Sequence, residues 1–171
     1  KKKNKKILLL KDCCESQGSK KKKKKVGNFG IAGSFSFYWG HHMSTIEGGM
    51  ITTNNKKFYN LCLLKRSHGL ARELPNNEHS KYKKKFSNKD FKFLFLSDGF
   101  NLRSTEINAF LGLSMIKKID KWIKIRNENY KIFINILKKY ENDFLIPFKK
   151  GISSFVLPFL MKDKYKKKKL E

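Results

Sequence analysis

The chain has 171 residues, with 40 Lys+Arg against 14 Asp+Glu for a formal charge of +26, and 39% of its residues are hydrophobic. That length suits one domain or part of one, and 13% aromatic content with 15 Phe excludes a wholly disordered chain. The basic residues are nearly all Lys, in runs at 1–3, 20–25, 83–85 and 166–169. A surface built to grip phosphates mixes in Arg and aromatic residues, so the runs read as compositional bias with non-specific polyanion binding at low salt, not as a specific nucleic-acid interface.

Three cysteines, Cys13, Cys14 and Cys62, are too few for a disulfide framework or a four-ligand zinc site, and a reducing, cytoplasmic setting is expected. No stretch approaches the roughly 18 apolar residues of a membrane helix, and no apolar run of signal-peptide length opens the chain.

In chain order, residues 7–10 are a short apolar run that predicts a strand buried on both faces. The run ends in Lys11-Asp12-Cys13-Cys14, which puts Asp12 at the carboxyl end, where open α/β sheets place ligands. Residues 16–25 are polar and predict a surface loop. Residues 34–38 alternate Ser and Phe as a strand does, a loop spans 39–47, and Gly48-Gly49 turns the chain into a strand at 50–53. Phe58, Leu61, Cys62 and Leu64 predict a helix over 54–64, capped by Asn54 or Asn55. Residues 66–96 have few periodic signals and predict a long loop. Ile107, Leu111, Met115 and Ile119 recur at helical spacing after Thr105-Glu106, and a second stripe predicts a helix over 121–140. These stripes are expected to face a core or a subunit. Residues 153–161 predict an edge strand interrupted by Pro158, and an exposed tail follows Met161. Short strands alternating with helices indicate an α/β architecture.

Three constellations carry chemistry. Asp12 ends a strand, where a bland capping role is the competing reading. Ser34 to His42, followed by Glu47-Gly48-Gly49, offers hydroxyls that can hold a phosphate and imidazoles that can act as acid, base or metal ligand. Gly99-Phe100-Asn101-Leu102-Arg103 precedes a helix start able to receive an anion. Adjacent histidines with no Cys or Asp nearby make a zinc site a poor fit, and no G-x-S-x-G elbow is present for a serine hydrolase.

The string Asp12-Cys13-Cys14-Glu15-Ser16-Gln17-Gly18-Ser19, then Val26-Gly27-Asn28-Phe29-Gly30, Ser34-Phe35-Ser36-Phe37-Tyr38 and Glu47-Gly48-Gly49, resembles the pyridoxal-phosphate-dependent sugar aminotransferases of the DegT/DnrJ/EryC1/StrS family. Gly99 to Arg103 with Thr105-Glu106-Ile107-Asn108-Ala109 and Leu111-Gly112-Leu113 resembles that family's later helix-opening motif, and Ser153-Ser154-Phe155 a further block. The resemblance implies a fold-type I PLP-dependent transferase fold, here a partial large domain with a mixed sheet flanked by helices, working as a homodimer. Residues 1–146 would belong to the large PLP-binding domain, and 147–171 to the start of a C-terminal small domain or a Lys-rich tail. The family's chains are longer, so this one is expected to be a piece that binds cofactor poorly alone.

The resemblance further implies cofactor-binding roles for Asp12 at the pyridinium nitrogen, Glu15 near the ring face, Ser36 at the phosphate, and Asn101 at the phosphate of the neighbouring subunit's site. Arg103 lies where substrate contacts are possible. The position of the Schiff-base lysine falls on His41, and no Lys lies between Ser34 and Lys56. Imidazole cannot replace a primary amine there. This departure resembles the family's sugar 3-dehydratase branch, which uses pyridoxamine 5'-phosphate on a nucleotide-linked 4-keto sugar, with glutamate as amine donor. It implies that His41 removes a proton from the cofactor's methylene carbon and then assists loss of the C3 hydroxyl, with His42 as an orienting neighbour. Some members of the branch hold an iron–sulfur cluster on grouped cysteines. The scattered cysteines here favour the cluster-free type. The competing expectations are a family member that is inactive or incomplete, and a Lys-rich polyanion-binding protein on the same fold.

Overall fold

A computed structural model describes residues 7–145 and 152–162. Its centre is a mixed sheet of three strands in the order β1 (Leu10–Asp12), β4 (Ala32–Ser36), β5 (Gly49–Thr52). The first pair is parallel, with Asp12 opposite Ser34, and the second is antiparallel, with Ser36 opposite Gly49. A mixed sheet accompanied by helices agrees with the α/β architecture expected from the sequence. The first strand, however, begins three residues later than predicted, and Ile7, Leu8, Leu9 and Leu10 are all more than half exposed. The apolar run is that of a doubly covered strand, but the described residues do not cover it.

Between β1 and β4 the predicted loop folds back as a small hairpin, β2 (Lys20–Lys21) against β3 (Lys24–Lys25). Its tip, Lys22 and Lys23, takes positive φ, the backbone that hairpin turns normally fill with Asn-Gly, so the sequence lacks the usual sign of it. Helix α1 (Lys56–Arg66) follows β5, and the Asn55 side chain accepts from the Phe58 N–H at its start. Gly69, at φ +79, lets the chain leave α1 so closely that a Cβ would sit 1.8 Å from the Ser97 carbonyl oxygen.

The predicted loop at 66–96 is instead a compact unit: a 3-10 turn at Ala71–Glu73, α2 (Asn76–Lys83) and α3 (Asn88–Lys92). Leu70, Ala71, Leu74 and Phe91 are its buried apolar residues. The two helices are short and polar, so no stripe marks them. Ser87 caps α3 by accepting from the Asp90 N–H.

Helix α4 (Glu106–Ile116) opens with a capping box between Thr105 and Asn108, as the Thr105-Glu106 start foretold. Helix α5 (Ile119–Leu137) continues as a 3-10 turn at Lys138–Tyr140, close to the expected 121–140 span. Tyr130 is its buried residue, while Ile107, Phe110, Leu113 and Ile116 leave one face of α4 open to solvent. The predicted strand at 153–161 shrinks to β7 (Leu160–Met161), paired with β6 (Phe144–Leu145). Residues 152–154 are held by side chains instead of a strand partner. The domain boundary expected after residue 146 and the expected tail beyond Met161 lie largely outside the described residues.

Candidate active site

The sheet brings Asp12 and the loop after β4 to one end. The Asp12 carboxylate accepts from the Cys14 N–H at 3.0 Å. Hydrogen bonds from Cys14 hold its carboxyl below the usual carboxylate range, with the nearby His41 adding to the effect, so Asp12 is an anion at neutral pH. The Cys14 thiol is pushed up in turn, first by burial and then by that carboxylate.

The loop from Phe37 to Gly48 is tied at both ends. The Phe37 N–H donates to the Gly48 carbonyl and the Thr45 N–H donates to the Phe37 carbonyl, each at 2.9 Å. The Thr45 hydroxyl donates to the Glu47 carbonyl at 2.7 Å. Gly48 is required by this closure, since at φ +154 a Cβ would meet the Thr45 hydroxyl at 2.6 Å. From α4, the Asn108 amide donates to the carbonyls of Thr45 and Glu47 at 2.7 and 3.1 Å. The predicted phosphate-binding residue Ser36 ends β4 with its hydroxyl accepting from the Tyr38 N–H at 3.2 Å.

Within this loop the two histidines have different surroundings. His41 is half-buried, with Nδ1 buried and unpartnered, and its ring lies between Tyr38 at 5.8 Å and Phe155 at 5.6 Å. His42 is 2% exposed and its Nε2 lies 3.3 Å from the Ser153 carbonyl. A carbonyl only accepts, so Nε2 carries the proton of the neutral ring. Burial, then the Arg126 charge, pulls the His42 pKa below the ordinary imidazole value, which keeps the ring uncharged at neutral pH. His42 is thus bonded into the interior, while the half-buried His41 is the imidazole that adds to the lowering of the Asp12 pKa.

His41 and His42 line a cleft of about 300 Å³ with Trp39, Ser44, Met115, Trp122, Ile125 and Arg126. Glu15 lies exposed on a second cleft of about 250 Å³, shared with Tyr130, Ser153 and Phe155. Asp12, Ser36 and the loop carrying His41 thus lie toward one end of the sheet, while Glu15 opens on the second cleft. Asn101 and Arg103 belong elsewhere in the chain's contacts. Asn101 pairs in register with Ser67 beyond α1, and Arg103 faces Glu73 at 3.7 Å.

Sequence reasoning passed over Gln17, Arg126, Asn127 and Ser153. Gln17 is buried beside Ser36 and donates to its carbonyl at 3.0 Å. It stands inside the motif beginning at Asp12, which was the one available signal. Ser153 stands inside the Ser153-Ser154-Phe155 block, where its bond to His42 was not foreseen. Arg126 acts on His42 by its charge and Asn127 bonds the backbone on either side of Ser153, and nothing local marks these two.

The chain matches the model of the DegT/DnrJ/EryC1/StrS aminotransferase family over residues 2–170. It belongs to that family. It is 34% identical over 114 residues to the GDP-4-keto-6-deoxy-D-mannose 3-dehydratase of Escherichia coli, covering 67% of this chain and 29% of that one. It is 32% identical over 145 residues to the UDP-4-amino-4,6-dideoxy-N-acetyl-beta-L-altrosamine transaminase of Helicobacter pylori, covering 82% of this chain and 34% of that one. A solved GDP-4-keto-6-deoxymannose-3-dehydratase with a trapped PLP-glutamate geminal diamine superposes with a TM-score of 0.84 at 30% identity, covering 95% of this chain and 42% of that one. The chain therefore spans less than half the length of these relatives. Family members thus include nucleotide-sugar transaminases and dehydratases. Among the described residues, no helix is long and apolar enough to cross a membrane.

Proposed function

We propose that this chain carries part of the active site of a lysine-free 3-dehydratase acting on a nucleotide-linked 4-keto-6-deoxy sugar, with His41 as its acid–base group. The carrying observation is His41 itself: an imidazole in the loop after β4, within electrostatic reach of an ionised Asp12, in a segment with no lysine between Ser34 and Lys56. The similarity to 3-dehydratases supports the same reading.

The residues fit a pyridoxamine or pyridoxal phosphate. An exposed anionic carboxylate at a strand end suits a protonated ring nitrogen, and the Ser36 hydroxyl at the end of β4 suits a phosphate oxygen. When bound, that group supplies an electron sink for a carbanion. Asp12 keeps the ring nitrogen protonated. His41 takes a proton at carbon and returns it to the departing hydroxyl, a role that suits an imidazole at neutral pH. Glu15 borders the ring face, Asn101 serves the phosphate of a partner copy's site, and Arg103 meets substrate. The open apolar face of α4 supports a homodimer. Glutamate is the amine donor, the large domain extends to residue 146, and the reaction runs in the cytoplasm to supply a sugar for surface polysaccharide.

The test uses GDP-4-keto-6-deoxymannose with pyridoxamine phosphate and the full-length protein that contains this chain. Loss of the C3 hydroxyl that falls about 100-fold or more in His41→Asn supports the assignment. Undiminished turnover in that variant refutes it.

A further inference from the structure

The four residues 152–155 approach the histidines without a strand partner, and side chains take up their backbone groups. The Asn127 amide of α5 donates through Nδ2 to the Ile152 carbonyl, and its Oδ1 accepts from the Ser154 N–H, both at 3.0 Å. One side chain thus meets the backbone as a neighbouring strand would. Between those two bonds, the Ser153 N–H donates to the Ser19 hydroxyl at 2.8 Å, and the Ser153 carbonyl accepts from His42 Nε2. Ser153 is 4% exposed, so this is an interior fixture and not a surface loop.

The next residue is Phe155. Its ring lies 5.6 Å from that of His41 at 53° and 5.3 Å from that of His42 at 39°. Among the described residues Tyr38 and Phe155 are the aromatic neighbours of His41, and Tyr38 itself is 41% exposed. Phe155 is therefore the better fixed of the two walls.

We propose that Asn127 is a positioning residue for the histidine pair: it fixes residues 152–154 against α5 so that Phe155 sets the ring plane of His41 and the burial of His42. The importance of this for turnover rests on the reading of His41 as the acid–base group, but the arrangement is testable without cofactor or substrate. Failure of the clamp and failure of the dehydratase reading are thus distinguishable.

The experiment follows the ring resonances of the four histidines, His41, His42, His68 and His79, in the histidine-labelled chain through a pH titration. Asn127→Ala removes both bonds, Asn127→Asp keeps the acceptor and loses the donor, and Phe155→Leu removes the wall while leaving the amide intact. The expected result is displacement of the His41 and His42 signals in Asn127→Ala and Phe155→Leu, with His68 and His79 unmoved. In Asn127→Ala the His42 midpoint should also rise toward the ordinary imidazole value as burial relaxes. Asn127→Asp should fall between wild type and alanine. His41 and His42 signals that coincide with wild type in Asn127→Ala, or His41 unmoved in Phe155→Leu, would overturn the proposal. If Asn127→Ala fails to fold, Asn127→Asp decides by the same criterion.

Discussion

Asn108 is the joint between α4 and the histidine loop. Its Nδ2 bonds the carbonyls of Thr45 and Glu47, while its Oδ1 closes the capping box with Thr105. Thr45 is 5% exposed, so its carbonyl has little water to turn to when the amide is removed. Two side-chain-to-backbone bonds at about 1 kcal/mol each, with about 0.5–1 kcal/mol for the cap, set the cost of Asn108→Ala at about 2–3 kcal/mol. For a domain of this size that lowers Tm by about 5–10 °C. Asn108→Asp separates the two parts. It keeps the cap and gains about 0.3–1 kcal/mol from the helix N-terminus, but it loses both donors and sets a charge against two carbonyl oxygens. It should therefore stay within about 1 kcal/mol of alanine. Urea unfolding of the three proteins reads both numbers. A loss below about 0.5 kcal/mol in Asn108→Ala, or recovery to wild-type stability in Asn108→Asp, would refute the joint.

Two further outcomes follow from the electrostatics. Glu78 is paired with Lys56 and Lys81, and hydrogen bonds from these lysines lower its pKa to about 2 from the model-peptide value of 4.5. Because the folded value is the lower one, its contribution is full above the unfolded pKa and fades as pH falls toward 2. Denaturation of wild type and Glu78→Gln at pH 6 and pH 3 should show the gap between them narrowing on acidification, and a gap that does not change with pH would contradict the pairing. At Cys14, the Asp12 carboxylate raises the thiol pKa after burial has done so. Asp12→Asn should speed iodoacetamide labelling of Cys14 at pH 8 while the buried Cys13 stays slow, and slower or equal labelling of Cys14 would count against that contact.

Much of this was legible residue by residue. Thr105 and the stripe after it gave α4 and Asn55 gave the start of α1, because each depends on local backbone chemistry and period, while the Ser-Phe alternation gave β4 two residues late, since the strand runs Ala32–Ser36 and Phe37 and Tyr38 belong to the loop. The motif order gave the family and the partial fold. Residues 7–10 misled because an apolar run reports the cover a strand needs, and all four are exposed among the described residues. The unit at 66–96 was unreadable because α2 and α3 carry one buried residue each, Glu78 and Phe91, too few to set a period. The expected edge strand at 153–161 failed for another reason. Asn127 and Ser19 bond the backbone at 152–154, and no local pattern announces a partner 25 or 134 residues away.

The central claim is that the position of a Schiff-base lysine is filled by His41. The most direct measurement is borohydride reduction of the protein after incubation with pyridoxal phosphate, followed by mass mapping, for wild type and His41→Lys. The account predicts no stoichiometric adduct at any one lysine in wild type, and a single adduct at position 41 in the variant. A stoichiometric adduct at one native lysine would contradict it.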